Sequence, residues 1–171
     1  WLRVFELPKA MHQYTGAFDS SEGLLKGDQS AGVLIDKTNG NTVAAWNYLK
    51  TPEDFAVDIQ LVVWWYNEAD AAPENNNHGY TTSKELSEKS HVKLYFARNE
   101  KGEVTDKRGF STTKATRRPM LDILAHIIDK VSSELRDPSL IGQCETFIRN
   151  GERGGEPEAD GEFHDDLVIA R

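Results

Sequence analysis

The sequence predicts an α/β domain whose mixed sheet combines an antiparallel meander with parallel strands and is flanked by helices. Segments with strand-like and helix-like patterns alternate along the 171 residues, which favours this class over an all-β sandwich. Three strand-like segments joined by short turns predict the meander. The helix-like segment after them predicts a crossover to a further strand. A chain of this length can form one domain with a sizeable core.

The predicted meander occupies the first third of the chain. Residues 1–12 lack a clear periodicity and are expected to form a linker or an N-terminal edge segment. The strand-like segments after them are Tyr14–Phe18, Ser30–Asp36 and Thr42–Tyr48. The first of these ends at Asp19. The other two are joined by a turn containing Asn39-Gly40, a dipeptide suited to the positive φ values of a tight hairpin.

A helix with one apolar face is predicted to follow the meander. Thr51 is a suitable N-cap, Pro52 suits the first helical position, and acidic residues occupy the first turn. The apolar residues at helical spacing are Phe55, Ile59, Val62, Val63 and Tyr66. This helix should therefore pack onto the sheet. Ala69–Pro73 is then predicted to form a short strand that leads to Glu74.

The second half of the chain is predicted to begin with a polar helix over Thr82–Lys89 and a strand over His91–Phe96, which alternates in hydrophobicity. Residues 99–116 lack a core-forming pattern and are expected to form a mobile loop that faces the substrate. Pro119 is expected to open the next helix, because proline suits the first helical position.

The C-terminal third is predicted to contain short elements. Asp137-Pro138 should end the preceding helix, and Leu140–Ile148 should pack back as a short helix or strand. Residues 150–161, rich in glycine and glutamate, are expected to form a flexible connection. They lead to His164, Asp165 and Asp166, which precede an apolar run with the pattern of a helix start.

Composition narrows the function classes. The net charge of −8 argues against a passive nucleic-acid-binding module, which is normally basic. Residues 101–118 are an exception, with six basic against two acidic side chains.

The single cysteine excludes an internal disulfide and a cysteine-based zinc site, and it favours a reducing compartment. No apolar run approaches the ~20 residues of a membrane-spanning helix. Because the sequence has no initiating Met, we expect a domain of a larger protein.

Acidic residues occur at three positions where a predicted strand ends or a helix begins. Asp19 ends the first strand of the meander, Glu74 follows the strand after the crossover, and Asp165-Asp166 precede the last helix. Such a pattern is typical of a chain that gathers carboxylates around Mg²⁺, which prefers oxygen ligands. Each acid also has a structural interpretation: a turn residue for Asp19, a solvated loop residue for Glu74, and a helix cap for Asp166.

Short motifs resemble those of one known family. The resemblance lies in five segments, in chain order: Phe18-Asp19-Ser20-Ser21-Glu22-Gly23 with Gly27 to Asp36; Glu74-Asn75-Asn76-Asn77-His78-Gly79; Gly109-Phe110-Ser111-Thr112-Thr113 with Lys114 and Arg117-Arg118-Pro119; Glu145-Thr146-Phe147; and Gly161 to Ala170. Together they resemble the ribonuclease H-like nuclease domain of large terminase subunits from tailed double-stranded DNA bacteriophages, over residues 13–171.

The resemblance implies a metal-dependent endonuclease that cuts concatemeric viral double-stranded DNA during genome packaging. It implies Mg²⁺ or Mn²⁺ as cofactor, with two ions: Asp19 would bridge them, Glu74 would serve one ion and Asp165 the other. Asp166 is a further catalytic candidate. The candidate DNA-binding residues are Lys107, Arg108, Lys114, Arg117 and Arg118, for which an ordinary solvated surface is the alternative.

The family also implies partners: an ATPase domain of the same polypeptide, the portal, the small terminase subunit, and double-stranded DNA in the host cytoplasm. The sequence itself has no phosphate-binding loop of the form Gly-x-x-x-x-Gly-Lys-Ser/Thr, so the ATPase motor is absent from these residues. Two alternatives stay open at this point. The domain could be a junction resolvase or integrase-type nuclease, or a non-catalytic docking module of a packaging motor.

Four further residues bear on the predicted site. Pro73 directly precedes Glu74, and proline is uncommon inside a central strand because it donates no ladder hydrogen bond. Glu74 is therefore expected just past the end of the strand, or Asp70 would share its role; Glu74 is the preferred assignment. Asp28 is interpreted as a loop residue or as one that supports a metal ligand. His164 could contact a phosphate or orient a carboxylate.

Overall fold

The computed structural model describes residues 1–25, 28–75, 77–89, 91–99, 101–131, 136–150, 156–159 and 166–170. Its centre is a five-stranded sheet with the strand order β1-β4-β3-β2-β5. The strands are β1 (Arg3–Val4), β2 (Tyr14–Asp19), β3 (Ser30–Asp36), β4 (Thr42–Tyr48) and β5 (Asp70–Pro73). β5 runs parallel to β2, and the other neighbours are antiparallel. The predicted mixed α/β sheet is confirmed.

The meander follows the predicted boundaries. The hairpin between β3 and β4 turns at Gly40, whose φ is 80°, and its amide donates to Asp36 O at 2.8 Å. β1 pairs with β4 and lies at one edge of the sheet.

Helix α1 (Pro52–Trp65) covers one face of the sheet and begins as predicted. Thr51 is its N-cap, with Oγ1 accepting a hydrogen bond from the Asp54 amide at 3.3 Å, and Pro52 is its first residue. Phe55 and Ile59 of α1 are fully buried in the same cluster as Phe18 of β2. The opposite face of the sheet carries a second apolar cluster, formed with helices from the C-terminal third.

Helix α2 (Asn77–Lys89) begins earlier than the predicted Thr82. The polar residues at its start have no apolar periodicity, so no sequence pattern predicts the first turn. Thr82 itself is fully buried, and α2 packs against α1.

The strand predicted over His91–Phe96 and the mobile loop predicted over residues 99–116 are both wrong in part. Leu94 pairs with Ala71 in an isolated parallel bridge beside β5, whereas regular pairing begins only in the hairpin formed by β6 (Phe96–Arg98) and β7 (Val104–Arg108). The turn between these strands is closed by Asn99, whose Oδ1 accepts hydrogen bonds from the amides of Lys101 and Glu103. Most side chains of this hairpin are exposed, so a core-forming pattern was never available to predict it.

Helix α3 (Lys114–Val131) also begins earlier than predicted, and Pro119 lies inside it. The reason is a reciprocal cap. The Thr116 amide donates to Thr113 Oγ1 at 3.3 Å, and the Thr113 amide donates to Thr116 Oγ1 at 2.8 Å. This cap starts the helix one turn before the proline, which then costs the helix one backbone hydrogen bond.

The chain closes with short elements: α4 (Pro138–Glu145), β8 (Phe147–Asn150), β9 (Glu156–Ala159) and α5 (Asp166–Ala170). Asp137 caps α4 by accepting from the Ser139 amide at 2.9 Å, as expected where Asp-Pro ends one helix and opens the next. β8 and β9 pair antiparallel, so residues 150–161 are not only a connection. None of the helices in the described ranges is long and apolar enough to span a membrane.

Candidate functional site

The parallel pair β2 and β5 brings two of the predicted acids to the same edge of the sheet. Asp19 is the last residue of β2, and Glu74 directly follows β5. The Glu74 amide donates to Phe18 O at 2.7 Å, which continues the parallel register in which Phe18 is opposite Pro73. Asp19 and Glu74 are therefore neighbours across the ends of two adjacent strands. In open α/β sheets, ligands bind beyond such carboxyl ends.

The alternation of side chains along β2 decides which face Asp19 occupies. Phe18 is fully buried in the cluster beneath α1. Because neighbouring strand residues point to opposite faces, Asp19 points to the other face, on which α5 packs. Leu167 and Val168 of α5 are buried there with Ala31, the residue of β3 that pairs with Asp19.

Packing of α5 places Asp166 near Asp19. Asp166 is the first residue of α5 and is only 8% exposed. The following amide, that of Leu167, donates to Gln143 Oε1 at 2.9 Å and ties the start of α5 to α4. The interpretation of Asp166 as a simple helix cap is thus incomplete, because its side chain also lines a cleft that Asp19 lines.

This cleft, which we call the acidic cleft, has a volume of about 280 Å³. It is lined by Asp19, Ser20, Ser21, Glu22, Asp28, Gln29, His78 and Asp166. Four of the eight lining residues carry carboxylates. His78 on α2 adds the imidazole, with Nε2 lying 3.2 Å from Glu22 Oε1.

Buried hydroxyl groups hold the loop that follows Asp19. Ser20 Oγ and Thr82 Oγ1 are 2.8 Å apart, and Thr82 Oγ1 also lies 3.2 Å from Pro52 O. The Ser21 amide donates to Ser30 Oγ at 3.1 Å. These contacts fix the loop to α1, α2 and β3, and so keep Asp19 and Glu22 oriented toward the cleft. Glu22, His78 and Thr82 were not predicted as parts of the site. Their contacts join segments that are distant in sequence, and such contacts leave no local pattern.

The alternative assignment of Asp70 is wrong. Asp70 is the first residue of β5 and pairs with Thr15, so it lies at the opposite end of the sheet from Asp19. Its carboxylate is bound there by Lys37, with Nζ–Oδ2 at 3.0 Å. Pro73 is accommodated as the last residue of β5, where its carbonyl still accepts a hydrogen bond from the Phe110 amide at 3.0 Å.

The other predicted acids lie at different depths. Glu74 is only 7% exposed and is not part of the wall of the acidic cleft. Asp28 lines the cleft. Asp165 and His164 lie outside the described residues.

The donor atoms suit a hard divalent cation. Carboxylate oxygens dominate the acidic cleft, and Mg²⁺ or Mn²⁺ is bound by one or two carboxylates with water and substrate completing the shell. Among the residues that the structure describes, no three His, Cys, Asp or Glu side chains are grouped closely enough to hold an ion by themselves. Asp165, the third predicted ligand, is not among those residues.

The β6–β7 hairpin is joined through Gly109 to the end of the sheet that holds Glu74. Gly109 has a φ of 75°, and a Cβ at this position would lie only 1.9 Å from Pro73 O. Its amide donates to Tyr95 O at 2.7 Å, and the next residue, Phe110, forms a parallel bridge with Glu74. Only glycine permits the close approach to Pro73 O. The basic residues Lys107 and Arg108 lie within two residues of Gly109 and are therefore held near this contact.

The basic residues predicted to bind DNA fall on two elements. Lys107 and Arg108 lie on β7 and line a cleft with α2. Lys114 begins α3, and its side chain lies outside the described part of the structure. Arg117 lines an apolar groove between α3 and α5, and Arg118 is exposed on α3.

Comparison with known proteins finds likeness in structure and none in sequence. No protein-family model matches the chain, and no curated protein matches it. The large terminase nuclease from thermophilic phage G20c, solved with bound magnesium, superposes with a TM-score of 0.73 at 17% identity, covering 99% of this chain and 83% of that one. The nuclease domain of the Thermus phage P74-26 large terminase gives 0.72 at 17%, covering 99% and 81%.

The P22 large terminase nuclease domain superposes with a TM-score of 0.60 at 14% identity, covering 98% of this chain and 81% of that one. The G20c nuclease has also been solved with bound cobalt and with bound zinc. These likenesses extend over the sheet, its helices and nearly the whole chain. The chain has the ribonuclease H-like fold of the nuclease domains of large terminase subunits.

Proposed function

We propose that this protein is a metal-dependent endonuclease that cuts concatemeric viral double-stranded DNA during genome packaging. The observation that carries the proposal is the meeting of three separate chain segments at one edge of the sheet. Asp19 and Asp166 line one cleft, and Glu74 is held beside Asp19 by a backbone hydrogen bond to Phe18. The fold shared with terminase nucleases supports the same conclusion.

The proposed cofactor is Mg²⁺ or Mn²⁺ in a two-ion site. Asp19, Glu74 and Asp165 are the proposed ligands, and Asp166 is the fourth catalytic carboxylate. When bound, such ions lower the pKa of a water molecule and stabilise the leaving oxygen of a phosphodiester. The G20c nuclease, which shares the fold, has been solved with bound magnesium.

The residues of the chain supply position and charge. Asp19 sits at the end of a strand paired on both sides, so its backbone cannot drift away from Glu74 or from the cleft. His78 is oriented by Glu22 at the cleft, where its imidazole is placed to contact a phosphate oxygen or to hold a proton. The basic residues Lys107, Arg108, Lys114, Arg117 and Arg118 are proposed to contact DNA phosphates, which position a duplex without reading its sequence.

The proposed partners are those of a packaging machine: double-stranded DNA, an ATPase domain of the same polypeptide, the portal and the small terminase subunit. The proposed location is the host cytoplasm. These assignments depend on the proposed function and are tested only after it.

Incubation with supercoiled plasmid tests the proposal directly. Cleavage is expected with Mn²⁺ or Mg²⁺ and none with EDTA, and a linear duplex should be cut as readily as a branched one. Preference for branched DNA would favour a junction resolvase instead. Absence of cleavage with either ion would favour a docking module, and cleavage in EDTA would refute the metal mechanism.

A further inference from the structure

A second cleft lies between α2 and β7 and has a volume of about 200 Å³. We call it the basic cleft. Its lining residues are Asn75, Tyr80, Ser83, Lys84, Asp106, Lys107 and Arg108. We propose that the basic cleft binds a phosphodiester of the DNA backbone and thereby holds the duplex across the acidic cleft. This inference rests on the proposed nuclease function.

The charge of the basic cleft contrasts with that of the whole chain. Lys84, Lys107 and Arg108 outweigh the single acid Asp106, in a protein with a net charge of −8. Lys84 comes from α2, a different element from the two β7 cations, so the cluster depends on the fold and is not a local run of basic residues. Cations that converge in this way suit a phosphate group. Each such contact would also release counterions from DNA, which favours binding.

Ser83 provides a second and independent indication of a ligand. It is only 5% exposed, and its Oγ has no hydrogen-bond partner among the described residues. Buried hydroxyl groups in native proteins are normally satisfied, so an exception that lines a cleft calls for an explanation. Ser83 Oγ is itself buried, so rotation of this side chain toward the basic cleft would let it donate a hydrogen bond to a phosphate oxygen bound there.

The remaining lining groups also suit a phosphate. The Tyr80 hydroxyl and the side-chain amide of Asn75 are donors, and Tyr80 is 65% exposed and open to a ligand. Donors and cations in this number match the oxygens of a phosphodiester, which only accept hydrogen bonds. Contacts to phosphate position a duplex without reading its bases, so the cleft should bind any sequence.

The basic cleft is continuous with the catalytic edge. Asn75 lines the basic cleft and directly follows Glu74, and the backbone amide of Asn75 donates to Phe110 O. Helix α2 borders both clefts, with His78 in the acidic one and Ser83 in the basic one. Five residues of helix rise about 7.5 Å, and one DNA strand carries a phosphate about every 3.4 Å along its axis. His78 and Ser83 also point about 140° apart around the axis of α2, so the duplex would lie across this helix to reach both clefts.

The first test measures the salt dependence of duplex binding in EDTA, where no cleavage is expected. Lys84→Ala should weaken binding and reduce the log–log slope against salt by roughly 0.9, the value for one lost phosphate contact. The matched control is Lys89→Ala, an exposed lysine of the same helix that is bound to Glu85 and does not line the cleft. An equal slope for the parent and Lys84→Ala, or no duplex binding by the parent, would overturn the proposal.

The second test separates ligand binding from folding. Ser83→Ala should raise the dissociation constant for duplex roughly tenfold, because hydrogen bonds to charged groups are the stronger kind. It should leave the salt slope unchanged, since the hydroxyl is neutral. The melting temperature without DNA should rise or stay level, because a buried hydroxyl without a partner is removed. A variant that is as stable as the parent and binds duplex equally well would exclude Ser83 from the subsite.

Failure of this inference is distinguishable from failure of the proposed function. If the parent cuts plasmid and both Lys84→Ala and Ser83→Ala bind duplex as the parent does, the nuclease function stands and the phosphate site in the basic cleft is refuted. If Lys84→Ala weakens duplex binding and the parent never cuts, the phosphate site stands and the nuclease function is refuted. In a cutting enzyme, Lys84→Ala should raise KM for duplex with little change in kcat, as expected for a residue that binds substrate and transition state equally.

Discussion

The two ends of the central sheet use acidic residues in opposite ways. At the end where β2 begins, Asp36 is fully buried and bound by His12, with Nδ1–Oδ2 at 2.6 Å, and Asp70 is bound by Lys37. At the end where β2 finishes, the carboxylates of the acidic cleft share one space of about 280 Å³. At the first end Asp36 and Asp70 each lie against a basic side chain, whereas at the second end four carboxylates line one cleft, with Glu22 beside His78.

The acids at the two ends of the sheet are therefore expected to affect stability differently. A buried carboxylate is tolerated when a partner and hydrogen bonds satisfy it, as the His12 ring and the Thr38 amide do for Asp36. Carboxylates that share a cleft disfavour one another's charge. A fold retains such a cluster where a cation or a substrate offsets the repulsion, which is why the second end is the candidate site.

The largest expected effect is on cleavage. Asp19→Asn removes the charge that would hold an ion and should lower the rate at least ~100-fold, since even residues that only orient metal ligands cost about 10- to 100-fold. Asp70→Asn is the matched control on the neighbouring strand, at the opposite end of the sheet. It should retain the parent rate in a plasmid assay with Mn²⁺. Equal rates for the parent and Asp19→Asn would place the site elsewhere.

The positions of Asp19 and Glu74 in the fold were predicted better than their surroundings. Both were placed at strand ends because each follows a short run with a strand pattern, and strand ends are visible in local sequence. Glu22 and His78 were not found, since only the tertiary fold brings α2 beside the loop after β2. The basic hairpin was predicted as a loop, because its exposed side chains carry no core pattern and its attachment depends on backbone contacts at Gly109.

The next effect is on stability, at the contact that joins the β6–β7 hairpin to the end of the sheet that holds Glu74. Gly109→Ala should destabilise by about 3 kcal/mol or more, because Cβ would meet the Pro73 carbonyl in addition to the cost of a positive φ. Gly102→Ala is the control: its φ is 79° and nothing lies within 4 Å of its Cβ position. It should cost only about 1 kcal/mol. Denaturant unfolding of both variants gives the comparison, and equal losses would mean that the hairpin is not held through this contact.

A divalent cation should stabilise one end of the sheet and not the other. At about 100 times its dissociation constant, an ion that binds only the folded protein adds about 2.7 kcal/mol to the free energy of unfolding. Mn²⁺ should therefore raise the melting temperature of the parent and of Asp70→Asn, and raise it less in Asp19→Asn. The same shift in all three proteins would show that the ion binds away from Asp19.

Removal of one cleft charge should also change stability without metal. Asp19→Asn is expected to melt at or slightly above the temperature of the parent in EDTA, because the repulsion between neighbouring carboxylates is reduced. Thermal melting in EDTA at low salt, where screening is weakest, measures the difference. A variant that melts well below the parent would show that Asp19 stabilises the fold, as Asp36 does, and the contrast between the two ends would fail.

The smallest effect is expected when the pH is lowered, at the end of the sheet where Asp36 is bound by His12. Burial raises the pKa of Asp36, but the hydrogen bonds from His12 and from the Thr38 amide outweigh it and hold the pKa below its ordinary value. A carboxyl group with a pKa lower in the folded than in the unfolded protein stabilises the fold above the unfolded value of about 3.9. That contribution is lost as the pH falls through the lower, folded value. The parent should therefore be more stable than Asp36→Asn at pH 5, and the difference should shrink below about pH 4. Urea unfolding of both proteins between pH 5 and pH 2.5 measures it, and a difference independent of pH would mean that packing and not the ion pair makes Asp36 stabilising.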